Sequence, residues 1–189
     1  MSEERMDNLE RRMDRIIEWV KTCDNKATIL LSIDALLLTL TFSSDYVLNG
    51  IQTIVASIFD KEKTSFSFSG FLCVLALVVM AISCLYSIHK CILVIKAKPE
   101  ADQTNDNDVK TDSLIHFQTI AALSYNEFKS KLESEEARED LISQIYVNAY
   151  RCREKFVDYN SGICALRVAI PATMVFILSL ICYLVNNPA

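Results

Sequence analysis

The stretch Ala27-Thr-Ile-Leu-Leu-Ser-Ile-Asp-Ala-Leu-Leu-Leu-Thr-Leu-Thr-Phe42 is an apolar run interrupted by one carboxylate. Two further runs, Phe71–Ile88 and Val168–Val185, share its character. Each approaches the roughly 20 residues that an α-helix needs to cross a hydrocarbon core about 30 Å thick. The basic residues sort around these runs. Of 19 Lys and Arg, only Lys61 and Lys63 lie between the first run and the second. The rest precede the first run, follow the second, or stand at the edges. By the positive-inside rule the N-terminus and the long second connection face the cytoplasm, and the short C-terminal tail lies outside. The pattern predicts an all-α membrane protein, with three transmembrane helices whose long extensions form a small cytosolic helical bundle.

Residues 1–26 carry a stripe of Met6, Leu9, Met13, Ile16, Val20 and Cys23, spaced 3-4-3-4-3. That is the heptad seam of a helix packed on helices. The stripe continues through Ala27, Leu30, Asp34, Leu37 and Thr41, with no Gly or Pro to break it. One continuous helix over about residues 4–43 is expected. A helix lying flat on the bilayer is the alternative. The opposite face is charged: Glu10, Arg11, Arg12, Asp14, Arg15 and Lys21.

The first connection holds Ile51-Gln-Thr-Ile-Val-Ala-Ser-Ile-Phe59, apolar but too short to span. An interfacial helix or a packed external hairpin suits it. Its flanks, Asn49-Gly50 and Asp60 to Lys63, read as turn-like and solvated. The second span extends through Cys91-Ile-Leu-Val-Ile95 toward Lys96 and Lys98. Pro99 to Asp112, with Asp102, Asp106 and Asp108, reads as a flexible polar loop. Ser113–Phe117 suits a short turn or helix. Ser124-Tyr-Asn-Glu127 is a capping box that starts a helix through Phe128 to Leu132. Ser134, followed by Glu135 and Glu136, is a second N-cap. Beyond it Leu141, Ile145, Ala149, Cys152, Phe156, Tyr159, Ile163 and Leu166 form a seam leading into the third span. Gly162 costs about 1 kcal/mol there relative to Ala. The expectation is a second long stalk, antiparallel to the first. The division that follows is 1–26 as a cytosolic amphipathic helix and 27–95 as the first two spans with their external connection. Residues 96–162 form a cytosolic sensor region, and 163–189 the third span with its tail.

The composition excludes several functions. A net charge of −5 argues against DNA or RNA binding, which needs a clustered positive field. The seven cysteines contain no C-x-x-C pair and read as small helix-packing residues. The first run follows a long polar stretch and no small-residue cleavage site succeeds it, so it reads as an anchor that stays. His89 and His116, the two histidines, stand in no metal-ligand spacing, and no G-x-S-x-G, P-loop or H-E-x-x-H occurs. The chain reads as no enzyme, with no metal and no resident cofactor.

Asp34 lies eight positions past Lys26, about 12 Å along the helix. A carboxylate inside a bilayer costs about 2.5–3.5 kcal/mol on insertion scales. Either it belongs to a polar ring lining an oligomeric path, or it forms a structural ion pair, with Arg167 as the partner. Asp24 and Lys26 mark the entry to the membrane, where solvation and snorkelling account for them. On the last stalk, Tyr146, Asn148, Tyr150, Arg151, Arg153, Lys155 and Tyr159 combine guanidinium forks with aromatic faces. They either form a small-nucleotide pocket or a solvated face near lipid headgroups.

Three segments, taken together, resemble the transmembrane effectors of the Pycsar antiphage systems. The first is Asp24-Asn-Lys-Ala-Thr-Ile-Leu-Leu-Ser-Ile33, similar to that family's entry into its first span. The second is Ile120-Ala-Ala-Leu-Ser-Tyr-Asn-Glu-Phe128. The third is Gln144-Ile-Tyr-Val-Asn-Ala-Tyr-Arg-Cys-Arg-Glu-Lys-Phe156, before the last span. Asp34-Ala35, where the family often has Asn-Gly, and Arg151, in place of an apolar residue, depart from the pattern. The resemblance implies a multi-pass effector in the bacterial inner membrane that binds cyclic UMP or cyclic CMP made by a partner cyclase. Such an effector oligomerises and disrupts the membrane, aborting infection. It also implies functional roles for Asp24 and Lys26, and weight on the nucleotide pocket. A non-conducting adaptor that recruits a cytosolic partner through its stalks is the alternative function.

Overall fold

The computed structural model describes residues 3–59, 68–96, 113–114, 117–132 and 136–186. Among these residues six helices follow in order: α1 (Glu3–Phe42), α2 (Asp45–Phe59), α3 (Phe68–Ile95), α4 (Phe117–Ala122), α5 (Tyr125–Leu132) and α6 (Glu136–Asn186). Three of them, α1, α3 and α6, are long and apolar enough to cross a membrane. The chain is an all-α membrane protein. It divides into two compact units, Met1–Asn25 with Val94–Val157, and Lys26–Leu93 with Asp158–Ala189.

The heptad stripe on α1 is the packed face. Met13, Cys23, Ala27, Leu30, Asp34 and Thr41 are buried, while Trp19, Ile29, Leu36 and Leu40 are exposed. Two hydroxyls inside the apolar stretches bond back to their own helix, where a hydrocarbon solvent offers no other partner. Thr41 Oγ1 donates to the Leu37 carbonyl at 2.8 Å, and Thr173 Oγ1 to that of Ala169 at 2.9 Å. Thr173 follows Pro171, through which α6 continues unbroken.

In the second unit α2 lies on α3 and α6. Ile54 joins Cys73, Ala76, Phe176, Leu180 and Tyr183 in one buried cluster, with Val47 and Ile51 against it. Burying such side chains contributes roughly 1.5–3 kcal/mol each. The central run of the first connection is thus a packed helix. Asn49-Gly50 is not a turn: it lies inside α2. Gly50 is there for closeness, since a Cβ on it would stand 2.7 Å from Leu180 Cδ1. Asp60 to Lys63 fall outside the described residues, as do Lys98, the Pro99–Asp112 loop and the Ser134 cap.

The direction of the last stalk needs correction. In the first unit Met13 meets Asn148 and Asp24 meets Lys155. In the second, Leu30 lies beside Gly162. Both partners advance together, so α1 and α6 run parallel. The reason lies in the connection: one reversed long helix, α3, comes between them in the chain. Within the second unit α3 is antiparallel to both, with Asp34 on Ser87 and Thr41 on Met80, and Lys90 on Asp158 and Cys73 on Ser179. The seam on α6 also differs in one place. Ala149 is exposed and Val147 is buried in its stead. Five of the seven cysteines are buried as expected, whereas Cys164 and Cys182 are exposed.

The capping box forms as read. Ser124 donates from its amide and hydroxyl to Glu127 Oε2, at 2.9 and 2.6 Å, and Ser124 Oγ accepts from the Glu127 amide at 3.4 Å. Upstream, Ser113 and Leu114 make a turn rather than a helix. The Leu114 amide donates to buried Asp140 Oδ2 at 2.7 Å. Helix α4 spans Phe117–Ala122.

Candidate functional site

The heptad register turns Asp34 inward. It is 0% exposed and accepts a 2.6 Å hydrogen bond from Ser87 Oγ on α3. Cys84 lies beside it. Its Oδ1 has no hydrogen-bond partner among the described residues. Arg167 is exposed on α6 and is not the recorded partner. One oxygen of the carboxylate is therefore met by a serine, and the side chain faces neighbouring helices of its own protomer. The signal for Ser87 in the sequence was slight: a serine in an apolar run is commonly satisfied by its own helix.

In the first unit, Asp24 Oδ1 receives a 2.5 Å charge-assisted hydrogen bond from Lys155 Nζ. This joins a residue of the membrane-entry motif to one of the nucleotide-pocket candidates. Lys26 is exposed on α1. In the second unit Lys90 and Asp158 form a comparable pair at 2.8 Å, with the Lys90 ammonium 5.8 Å from the Tyr86 ring centre.

Helix periodicity divides the remaining candidates. Tyr146 and Tyr150 lie on the exposed face of α6, at 51% and 39% exposure. Asn148, Arg151 and Lys155 are half-buried on the packed side. Asn148 Nδ2 donates to the Gln144 carbonyl at 2.9 Å and meets Met13 Sδ. Tyr159, half-buried, belongs to the second unit. The first unit instead shows a concavity elsewhere. A groove of about 360 Å³ is lined by Asn8, Leu9 and Arg12 of α1 and by Arg138, Ile142 and Ile145 of α6. The heptad register puts Arg12 on the charged face opposite the stripe, and only the pairing of α1 with α6 brings it to a second arginine.

Residues 8–183 match the sequence profile of the Pycsar effector protein domain. The Pycsar effector protein GmPycTM of Gulbenkiania mobilis is 28% identical over 176 residues, which cover 88% of this chain and 86% of that protein. No solved structure matches the chain.

Proposed function

We infer the function from the family: the chain belongs to the Pycsar effector proteins, transmembrane proteins of antiphage defence. The observation that carries the reading is the match across nearly the whole chain, spans included. The proposed trigger is cyclic UMP or cyclic CMP from a partner cyclase. The proposed output is loss of inner-membrane integrity by a homo-oligomer, because three spans cannot enclose an aqueous path alone. The proposed orientation keeps the N-terminus and the α3–α6 connection in the cytoplasm.

The buried position of Asp34 bears on how such a state arises. Lining a path with that carboxylate requires α1 and α3 to part at Ser87. A ligand favours the parted arrangement only by binding it more tightly than the closed one. The test is release of a trapped dye from vesicles that hold the purified protein, with and without each cyclic nucleotide. Release only with a nucleotide supports the reading. Silence with cyclic UMP, cyclic CMP and a panel of other cyclic nucleotides rejects it and leaves the adaptor.

A further inference from the structure

The groove in the first unit pairs two cations across a gap. Arg12 comes from α1 and Arg138 from the first turns of α6. Among the described residues neither guanidinium is in an ion pair, whereas neighbouring Arg11 is tied to Asp7 at 2.7 Å. Two uncompensated arginines facing one concavity stand out in a chain of net charge −5. A guanidinium fork matches phosphate oxygens in pairs. Leu9, Ile142 and Ile145 add apolar lining to the groove, and Asn8 adds an amide. At about 360 Å³ the groove falls at the small end of ligand sites, which run roughly 300–1,000 Å³. That suits one mononucleotide better than a dinucleotide.

We propose that this groove is the messenger site: Arg12 and Arg138 clamp the phosphodiester of a cyclic mononucleotide, and Leu9, Ile142 and Ile145 hold its sugar and base. The proposal rests on the cyclic-nucleotide reading above. Both arginines stand on helices that also carry a span. A ligand gripping both favours whichever arrangement of α1 and α6 keeps them at clamping distance. A phospholipid headgroup offers the same phosphodiester chemistry, so it must be tested beside the nucleotide.

The experiment uses the full chain in nanodiscs of zwitterionic lipid, titrated calorimetrically with cyclic UMP, cyclic CMP and, separately, short-chain phosphatidylglycerol. Arg12→Ala and Arg138→Ala should each weaken nucleotide binding about tenfold or more, as expected for loss of a charge-assisted contact. The double variant should lose it. Arg12→Lys should fall between, having charge without the fork. Lys129→Ala with Lys131→Ala, which removes two charges from α5, should leave affinity within about twofold. As a readout that keeps both arginines, maleimide labelling of Ile142→Cys, followed by peptide mass, should slow under saturating nucleotide. Wild-type affinity in a folded double variant, or unchanged labelling at saturation, overturns the site while leaving the sensor function standing. Arginine-dependent binding of phosphatidylglycerol without arginine-dependent nucleotide binding overturns it in favour of a lipid site. Failure of the wild type to bind either nucleotide removes the sensor function and the site with it.

Discussion

Asp34 takes its hydrogen bond from Ser87 at 2.6 Å, with no surface exposed, so the one carboxylate of the first apolar run is held inside the protomer. Ser87→Ala removes the donor and leaves a buried acceptor unmet. The expected loss is about 1–2 kcal/mol, between the average for interhelical bonds in membranes and the penalty for an orphaned buried group. Unfolding in mixed micelles measures it. If Asp34 serves the conducting state, Asp34→Ala abolishes dye release at equal protein level. Full release by that variant contradicts the role.

Lys155 and Asp24 are a cross-helix pair with 19% and 37% of their side chains exposed. Partial exposure limits the pair to about 0.5–1 kcal/mol. A double-mutant cycle with Lys155→Ala and Asp24→Asn should return a coupling of that size, and the charge swap Asp24→Lys with Lys155→Asp should recover most of it. Purely additive single losses would mean that the pair contributes nothing.

Glu127 reads out the α5 cap. Hydrogen bonds from the Ser124 hydroxyl and amide hold its carboxyl below the ordinary value of 4.5. A carboxyl lowered by folding stabilises the folded state above its unfolded value, and the contribution disappears as pH falls through the lowered one. The Ser124 amide resonance should therefore titrate with a midpoint below 4.5. Ser124→Ala should return the Glu127 midpoint toward the ordinary value, and Glu127→Gln should flatten the curve. A wild-type midpoint at or above the ordinary value contradicts the cap.

Gly162 sits where three helices meet. A Cβ there would lie 3.2 Å from Leu30 Cδ2, 3.5 Å from Cys91 Sγ and 3.6 Å from the Ser87 carbonyl oxygen. Gly162→Leu should destabilise by about 1–3 kcal/mol through overpacking. The neighbouring exposed Asn160→Leu, with no such crowding, should stay within about 0.5 kcal/mol. Equal effects at the two positions would show that backbone propensity, not packing, governs Gly162.

Much of this was legible in the residues. The unbroken 3-4 spacing from Met6 to Thr41 gave α1 nearly to its ends, because a periodic apolar face with no Gly or Pro leaves a helix little alternative. The Ser124–Glu127 spacing gave the start of α5, since capping is local chemistry. Asn49-Gly50 misled for the opposite reason. Its turn propensity lost to the packing of α2 on Leu180, which rewards the absence of a side chain. Ala149 misled because its small apolar side chain fits either face, and the neighbouring Val147 filled the seam instead.

The chain's residues alone determined three apolar helices, their order and the class of protein, because hydrophobic length and periodicity act along a single strand of sequence. Which side chains meet was decided elsewhere. Serine rather than arginine opposite Asp34 depends on how antiparallel α3 packs on α1, and lysine opposite Asp24 and Arg12 across a groove from Arg138 depend on how α1 and α6 align. Helix alignment is set by the shape of whole packed faces, including the gap that Gly162 leaves, and no local pattern encodes it.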